Sequence, residues 1–163
     1  MKVRFPLVSL AVFALAASAS AQTQKISGKI QCKPGPVTPV AIGDKGGHMY
    51  AIVQSECTWI KPLEIAGVQT KSGADTVVTE MSGNASSDRG YHVDTMANGD
   101  KFTARFEGTG TSKDGKPVSA SGTWSFVDGT GKVKGIKGKG TYKGTANADG
   151  TMTNEIEGAY SIP

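Results

Sequence analysis

The sequence predicts an all-β protein: a single antiparallel β-barrel of about eight strands with short hairpin turns, following an N-terminal signal peptide. Three observations lead there. Apolar and polar residues alternate with a period of two along most of residues 22–163. Gly-containing turns recur roughly every ten residues, and helical periodicity is nearly absent. The 163 residues suit one domain. The 22 glycines follow no three-residue period, which excludes collagen. A charged content of 20% beside many β-branched residues excludes a largely disordered chain.

Residues 1–21 stand apart from the fold. Lys2 and Arg4 form a positive start, Leu7 to Ala17 an apolar run too short to span a bilayer, and Ala19-Ser20-Ala21 a small-residue cleavage site. Cleavage after Ala21 leaves residues 22–163 as the barrel domain, periplasmic or secreted. The formal charge falls from +4 to +2, since 16 basic residues then face 14 acidic ones. Cys32 and Cys57 are the only cysteines, and in an oxidising compartment they are expected to pair. Two cysteines with the scattered His48 and His92 make no metal motif, so no metal and no cofactor is expected.

Along the mature chain, Ile26, Gly28 and Ile30 alternate on a first strand. Met49 to Trp59 reads as another, with an ambiguous inward face: Met49, Ala51, Val53, Cys57 and Trp59 compete with Tyr50 and Ile52. A direct hairpin of these strands would separate the cysteines. A short strand over Val37 to Ile42 running back between them would bring both to one end, with Pro36 and Pro39 holding it short or at an edge. Thr76 to Met81 is a further strand.

Asn98-Gly99 suits a two-residue type I′ turn, because both positions need positive φ. That register sets Tyr91 opposite Phe106, Val93 opposite Ala104 and Thr95 opposite Phe102. It leaves His92, Asp94, Thr103 and Arg105 on a polar face. Lys113-Asp114-Gly115 then acts as a three-residue loop, with Phe106 facing Gly122, Ala104 facing Trp124 and Phe102 facing Phe126. Ala148-Asp149-Gly150 closes a last hairpin that pairs Tyr142 with Ile156, Lys143 with Glu155 and Gly138 with Tyr160. Between these hairpins, Val133 and Ile136 can both face inward only through a bulge near Lys134-Gly135. The Gly-x-Gly steps lack the Gly-Lys-Ser/Thr and the following helix of a phosphate loop. The lysines from Lys132 to Lys143 face Glu155 and Glu157, which favours a solvated strand face and no nucleic-acid partner.

Gly122-Thr123-Trp124-Ser125-Phe126, then Gly129-Thr130-Gly131-Lys132-Val133 and Gly135-Ile136-Lys137-Gly138, resemble the C-terminal half of allene oxide cyclases and dirigent proteins. The resemblance covers about Tyr91 to Ile162 and implies an eight-stranded barrel around an apolar cavity. The acidic and aromatic catalytic residues of those plant enzymes have no position-by-position match, so it carries the fold and not the activity. The whole chain also resembles small exported proteobacterial proteins of unassigned function, which share the turn Met96-Ala97-Asn98-Gly99-Asp100 and the Gly-rich tail.

Three functions follow. The first is a barrel that binds a small apolar or aromatic ligand through Tyr91, Phe102, Phe106, Trp124, Tyr142 and Tyr160, with room beside the small Ala104, Gly122, Gly138 and Gly140. The second is a cyclase-like or coupling enzyme, whose candidate catalytic residues are His92, Asp94 and Arg105. His92 and Asp94 share a strand face, expected to be the polar exterior, and would serve acid–base chemistry only if that face pointed inward. The third is a structural or interaction module with a filled core. No membrane span is expected in the mature chain, and oligomeric state is left open.

Overall fold

The computed structural model describes residues 22–163; the expected signal segment lies outside the described residues. Ten strands form one antiparallel sheet: β1 (Gln24–Pro34), β2 (Val40–Ala41), β3 (His48–Lys61), β4 (Glu64–Ile65), β5 (Val68–Ser82), β6 (Ala85–Met96), β7 (Lys101–Lys113), β8 (Lys116–Gly129), β9 (Lys137–Ala146) and β10 (Met152–Ser161). Strands β3-β1-β10-β9-β8-β7-β6-β5 follow one another, and β3 pairs with β5, so eight strands close an all-β barrel without a free edge. The two-residue strands β2 and β4 hang from β3 and β5. No helix among the described residues is long and apolar enough to cross a membrane.

The cysteines form a disulfide, but not by the predicted route. Strands β1 and β3 pair directly, and Cys32 lies opposite Cys57 with Cα atoms 4.1 Å apart. The segment expected to run back between them instead forms β2, which pairs with Met49 and Tyr50 of β3 beyond the end of β1. The connection from residue 35 to 47 is long enough to loop outward, which frees the two long strands to meet. The face of β3 is thereby decided: Ala51 and Cys57 are buried, and Tyr50 and Ile52 are exposed.

Two hairpins differ from expectation, and they exchange turn types. The β6–β7 turn is a three-residue loop, Ala97-Asn98-Gly99. Met96 N–H donates to the Asp100 carbonyl at 2.8 Å, Gly99 N–H donates to the Met96 carbonyl at 3.0 Å, and Gly99 alone has positive φ. The extra residue shifts the register by one, pairing His92 with Ala104 and Asp94 with Phe102. A slip of one reverses both faces. His92, Asp94 and Met96 therefore point inward, whereas Tyr91 and Val93 point to solvent. The β7–β8 turn is a two-residue loop, Asp114-Gly115, with φ of +52° and +73° as a type I′ turn requires. An irregularity between Thr111 and Ser112 then restores the inward parity. Phe106 lies opposite Trp124 and Ala104 opposite Phe126, two residues from the predicted pairing but on the predicted face. The β9–β10 hairpin pairs Tyr142 with Ile156, Lys143 with Glu155 and Gly138 with Tyr160, as expected.

One end of the barrel is plugged. Leu63 and Ile65 fold across it on the β4 turn and pack with Met96, Phe102, Val133, Ile136 and Tyr160. Val133 and Ile136 are both inward, through a 3-10 turn (Gly131–Val133) followed by Gly135 at positive φ, in place of the predicted bulge. The Asp100 carboxylate accepts the Lys132 N–H at 2.9 Å and ties this turn to the β6–β7 loop. The Tyr160 hydroxyl accepts from Ala66 N–H at 3.0 Å and donates to the Gln24 amide oxygen at 2.7 Å, fastening the plug to both chain ends of the sheet.

Candidate functional site

Above the plug the barrel is hollow. A cavity of about 740 Å³ runs to the opposite end, where the turns at Lys116-Pro117 and Ala148-Asp149-Gly150 stand. Its walls carry Trp59, Phe102, Phe106, Trp124, Phe126 and Tyr142, with Ile30, Val77 and Ile156 between them. The aromatic rings brace one another edge to face: Phe102 with Phe126 at 5.1 Å between centroids, Trp124 with Phe126 at 5.0 Å, and Phe106 with Tyr142 at 6.0 Å.

The inward glycines seat these rings and do not create the hollow, contrary to the expectation for Gly122, Gly138 and Gly140. Gly140 and Gly158 face each other across β9 and β10, and a Cβ on either would come within 2.7 Å or 2.5 Å of the Trp124 ring. The Tyr142 ring lies in the same way over Gly122. The open volume comes instead from the barrel's diameter: eight strands leave space for one small ligand when the side chains do not meet at the axis.

The polar part of the site stands on β5 and β6. His92 points inward with a side chain 14% exposed, between two carboxylates. Its Nδ1 is 2.7 Å from Asp75 Oδ1, and its Nε2 is 3.3 Å from Asp94 Oδ2. Asp94 is fully buried; its Oδ2 also accepts the Trp59 indole N–H, and its Oδ1 has no partner among the described residues. Burial is the largest single influence on the imidazole and disfavours its charge. Asp75 and Asp94 together outweigh it, and the pKa is raised to about 9. At neutral pH His92 is therefore an imidazolium with both N–H groups directed at carboxylates. Gly73 leaves the space for this ring: a Cβ there would lie 2.6 Å from Nε2. Farther toward the open end, Asp88 also lines the cavity, and its Oδ2 accepts from the Ser86 hydroxyl at 2.9 Å. Tyr142 has its pKa pushed up to about 12, first by burial and then by the charges of Asp88 and Asp75.

The predicted residues divide between inside and outside. Phe102, Phe106, Trp124 and Tyr142 line the cavity. Tyr91 is 52% exposed on the outer wall, and Arg105, which pairs with it, is exposed as well, so neither faces the interior. Tyr160 is buried at the plug and does not reach the cavity. His92 and Asp94 do come together, on the inner face where an exterior one was expected. Sequence reasoning missed Asp75, Asp88 and Trp59 as their companions. Asp75 lies 17 residues from His92 along the chain and Trp59 lies 35 from Asp94, and no local pattern signals either meeting. Among the described residues, Cys32, Cys57 and Asp75 have the spacing of a metal site. The two sulfurs are bonded to each other and provide no thiolate.

Fold and site together define a small closed β-barrel with an internal, aromatic-walled cavity. No known family profile matches the chain, and no curated protein matches it in sequence. Two crystal structures share the fold. One is a protein of unknown function of the DUF3224 family from Shewanella oneidensis MR-1, with a TM-score of 0.51 and 15% identity, covering 87% of this chain and 100% of its own. The other is a conserved protein of unknown function from Rhodopseudomonas palustris, with a TM-score of 0.53 and 14% identity, covering 87% of this chain and 99% of its own. At these identities the likeness is one of fold alone. Neither structure carries a cyclase or dirigent name; both agree with the expected likeness to bacterial proteins of unassigned function.

Proposed function

We propose that this chain is an exported binding protein that takes one small, largely apolar or aromatic molecule into its barrel. The observation that carries the reading is the cavity: about 740 Å³, walled mainly by aromatic and aliphatic side chains, with a few polar groups gathered on one side. Cavities of roughly 300–1,000 Å³ with that composition suit drug-sized ligands. A disulfide beside the cluster, which persists best in an oxidising compartment, supports export. A core filled by its own side chains, as a purely structural module would have, leaves no such volume.

The test is isothermal titration calorimetry with a neutral aromatic probe, 1-naphthalenemethanol, beside native mass spectrometry of protein purified from its own host. Binding with a stoichiometry of one is expected. It should be lost in Ala120→Trp, which places an indole on the cavity wall. Absence of binding by any apolar probe, together with no retained mass, would refute the proposal.

A second reading, acid–base catalysis of cyclase type, has the inward His92–Asp75–Asp94 cluster in its favour. An imidazolium held by two carboxylates is a poor general base at neutral pH, which weighs toward binding. A turnover that survives His92→Gln and Asp94→Asn would exclude these residues from it.

A further inference from the structure

The cavity can be characterised by which hydrogen-bonding groups its walls have left over. The ring N–H donors are all used. Both ring nitrogens of His92 face carboxylates. The Trp59 indole donates to Asp94, and the Trp124 indole donates to the Thr141 carbonyl at 3.2 Å. Several carboxylate acceptors are not used. Asp75 Oδ2 has only the disulfide sulfurs at 3.5 Å, and these carry no hydrogen. Asp88 accepts one hydroxyl through Oδ2 and has no cationic partner among the described residues. Asp94 Oδ1, fully buried beneath them, has no donor either.

Charge points the same way. Strand β6 sets Asp88, His92 and Asp94 on its inward face, and β5 adds Asp75 opposite His92. Three carboxylates therefore stand against one imidazolium within the barrel. Lys116 and Asp149, at the open end, offset each other. Across from this acidic wall stand the rings of Trp124 on β8 and Tyr142 on β9, whose π-faces attract cations.

We infer that the occupant of the cavity is an organic cation: an amine on an aromatic or apolar body, with its ammonium donating to Asp88 and its body against Trp124, Phe106 and Tyr142. This rests on the cavity being a binding site, as proposed above, and specifies its ligand class. An ammonium supplies two or three N–H donors where the wall offers unused carboxylate oxygens, and brings the compensating charge. A carboxylate ligand would find no cation beside the three carboxylates except the already paired His92, with Lys116 only at the open end, and would add to the repulsion. A neutral alcohol could donate its single O–H to one of these carboxylates, but it brings no compensating charge and no second donor.

The experiment compares three probes of one shape by calorimetry at pH 7: 1-naphthylmethylamine, 1-naphthalenemethanol and 1-naphthoic acid. Charge-assisted hydrogen bonds of this kind are worth about a factor of ten or more in affinity. The amine should therefore bind at least about tenfold tighter than the alcohol, and the acid more weakly than either. In Asp88→Asn, which keeps the shape and removes the charge, the amine-to-alcohol ratio should fall toward one, with Asp75→Asn as the second variant. Circular dichroism checks that both fold. Equal binding of amine and alcohol, tighter binding of the acid, or an amine preference unchanged in both variants would overturn this inference while leaving the cavity a binding site. Failure of all three probes to bind would overturn both.

Discussion

Raising the pH should weaken the folded protein chiefly through His92. Its ordinary pKa is about 6.5, which the unfolded chain restores, and in the barrel Asp75 and Asp94 hold it at about 9. Below pH 6.5 the imidazole is protonated in both states, and the full stabilisation by its two carboxylates is present. Between 6.5 and 9 the folded state keeps a proton that the unfolded state has released, so stability falls by about 1.4 kcal/mol for each pH unit. Above 9 the contribution is gone. The difference of roughly 2.5 units corresponds to about 3 kcal/mol. That is a large part of the ~5–15 kcal/mol typical of a domain. The assay is urea unfolding under non-reducing conditions from pH 6 to 10, in a His48→Gln background. His48 needs removing because its own pKa is raised, by Glu80 first and then Asp44. The His92 ring resonances, followed by NMR in the same series, should titrate near 9. In His92→Gln the downward slope should vanish, and stability at pH 6 should drop by about 3 kcal/mol or more, since two carboxylates lose their buried partner. An unfolding free energy that stays flat from pH 6 to 9.5, or ring resonances that titrate near 6.5, would refute the reasoning.

Three further outcomes are expected. Reducing the disulfide, or replacing both Cys32 and Cys57 by Ala, should cost about 3–4 kcal/mol in urea titrations, because the bond closes a loop of 25 residues. Gly73→Ala should push the His92 ring off its carboxylates, lowering the pKa read by NMR and destabilising the barrel by about 1–3 kcal/mol, as overpacking does. Trp59→Phe removes the indole N–H from the buried Asp94 and should cost about 1–3 kcal/mol at pH 6, with circular dichroism showing the barrel intact.

Turn chemistry explains both what was legible in the chain and what was not. Ala148-Asp149-Gly150 specified its hairpin fully, since Gly150 supplies the left-handed position, and every predicted pair on β9 and β10 is met. Asn98-Gly99 satisfies either a two-residue or a three-residue loop, and the sequence on either side offers two apolar faces. Tyr91 and Val93 alternate with His92, Asp94 and Met96, and apolar content alone favours burying the former. The structure buries the latter, where Met96 packs into the plug and Asp75 and Trp59 receive the polar pair. The exterior is correspondingly apolar, with Ile52, Tyr91 and Val93 exposed.

The all-β class, a strand count near eight, the inward Phe102, Phe106, Trp124 and Tyr142, and the cysteine pair all follow from local rules. Period-two alternation, glycine at positive φ and an even cysteine count act over a few residues and can be read in one dimension. The inward face of β6, the route of the disulfide and the acidic wall depended on contacts between strands distant in the chain. A histidine beside an aspartate is costly to bury until a second carboxylate and an indole N–H arrive from two other strands, and only the closed barrel brings them together.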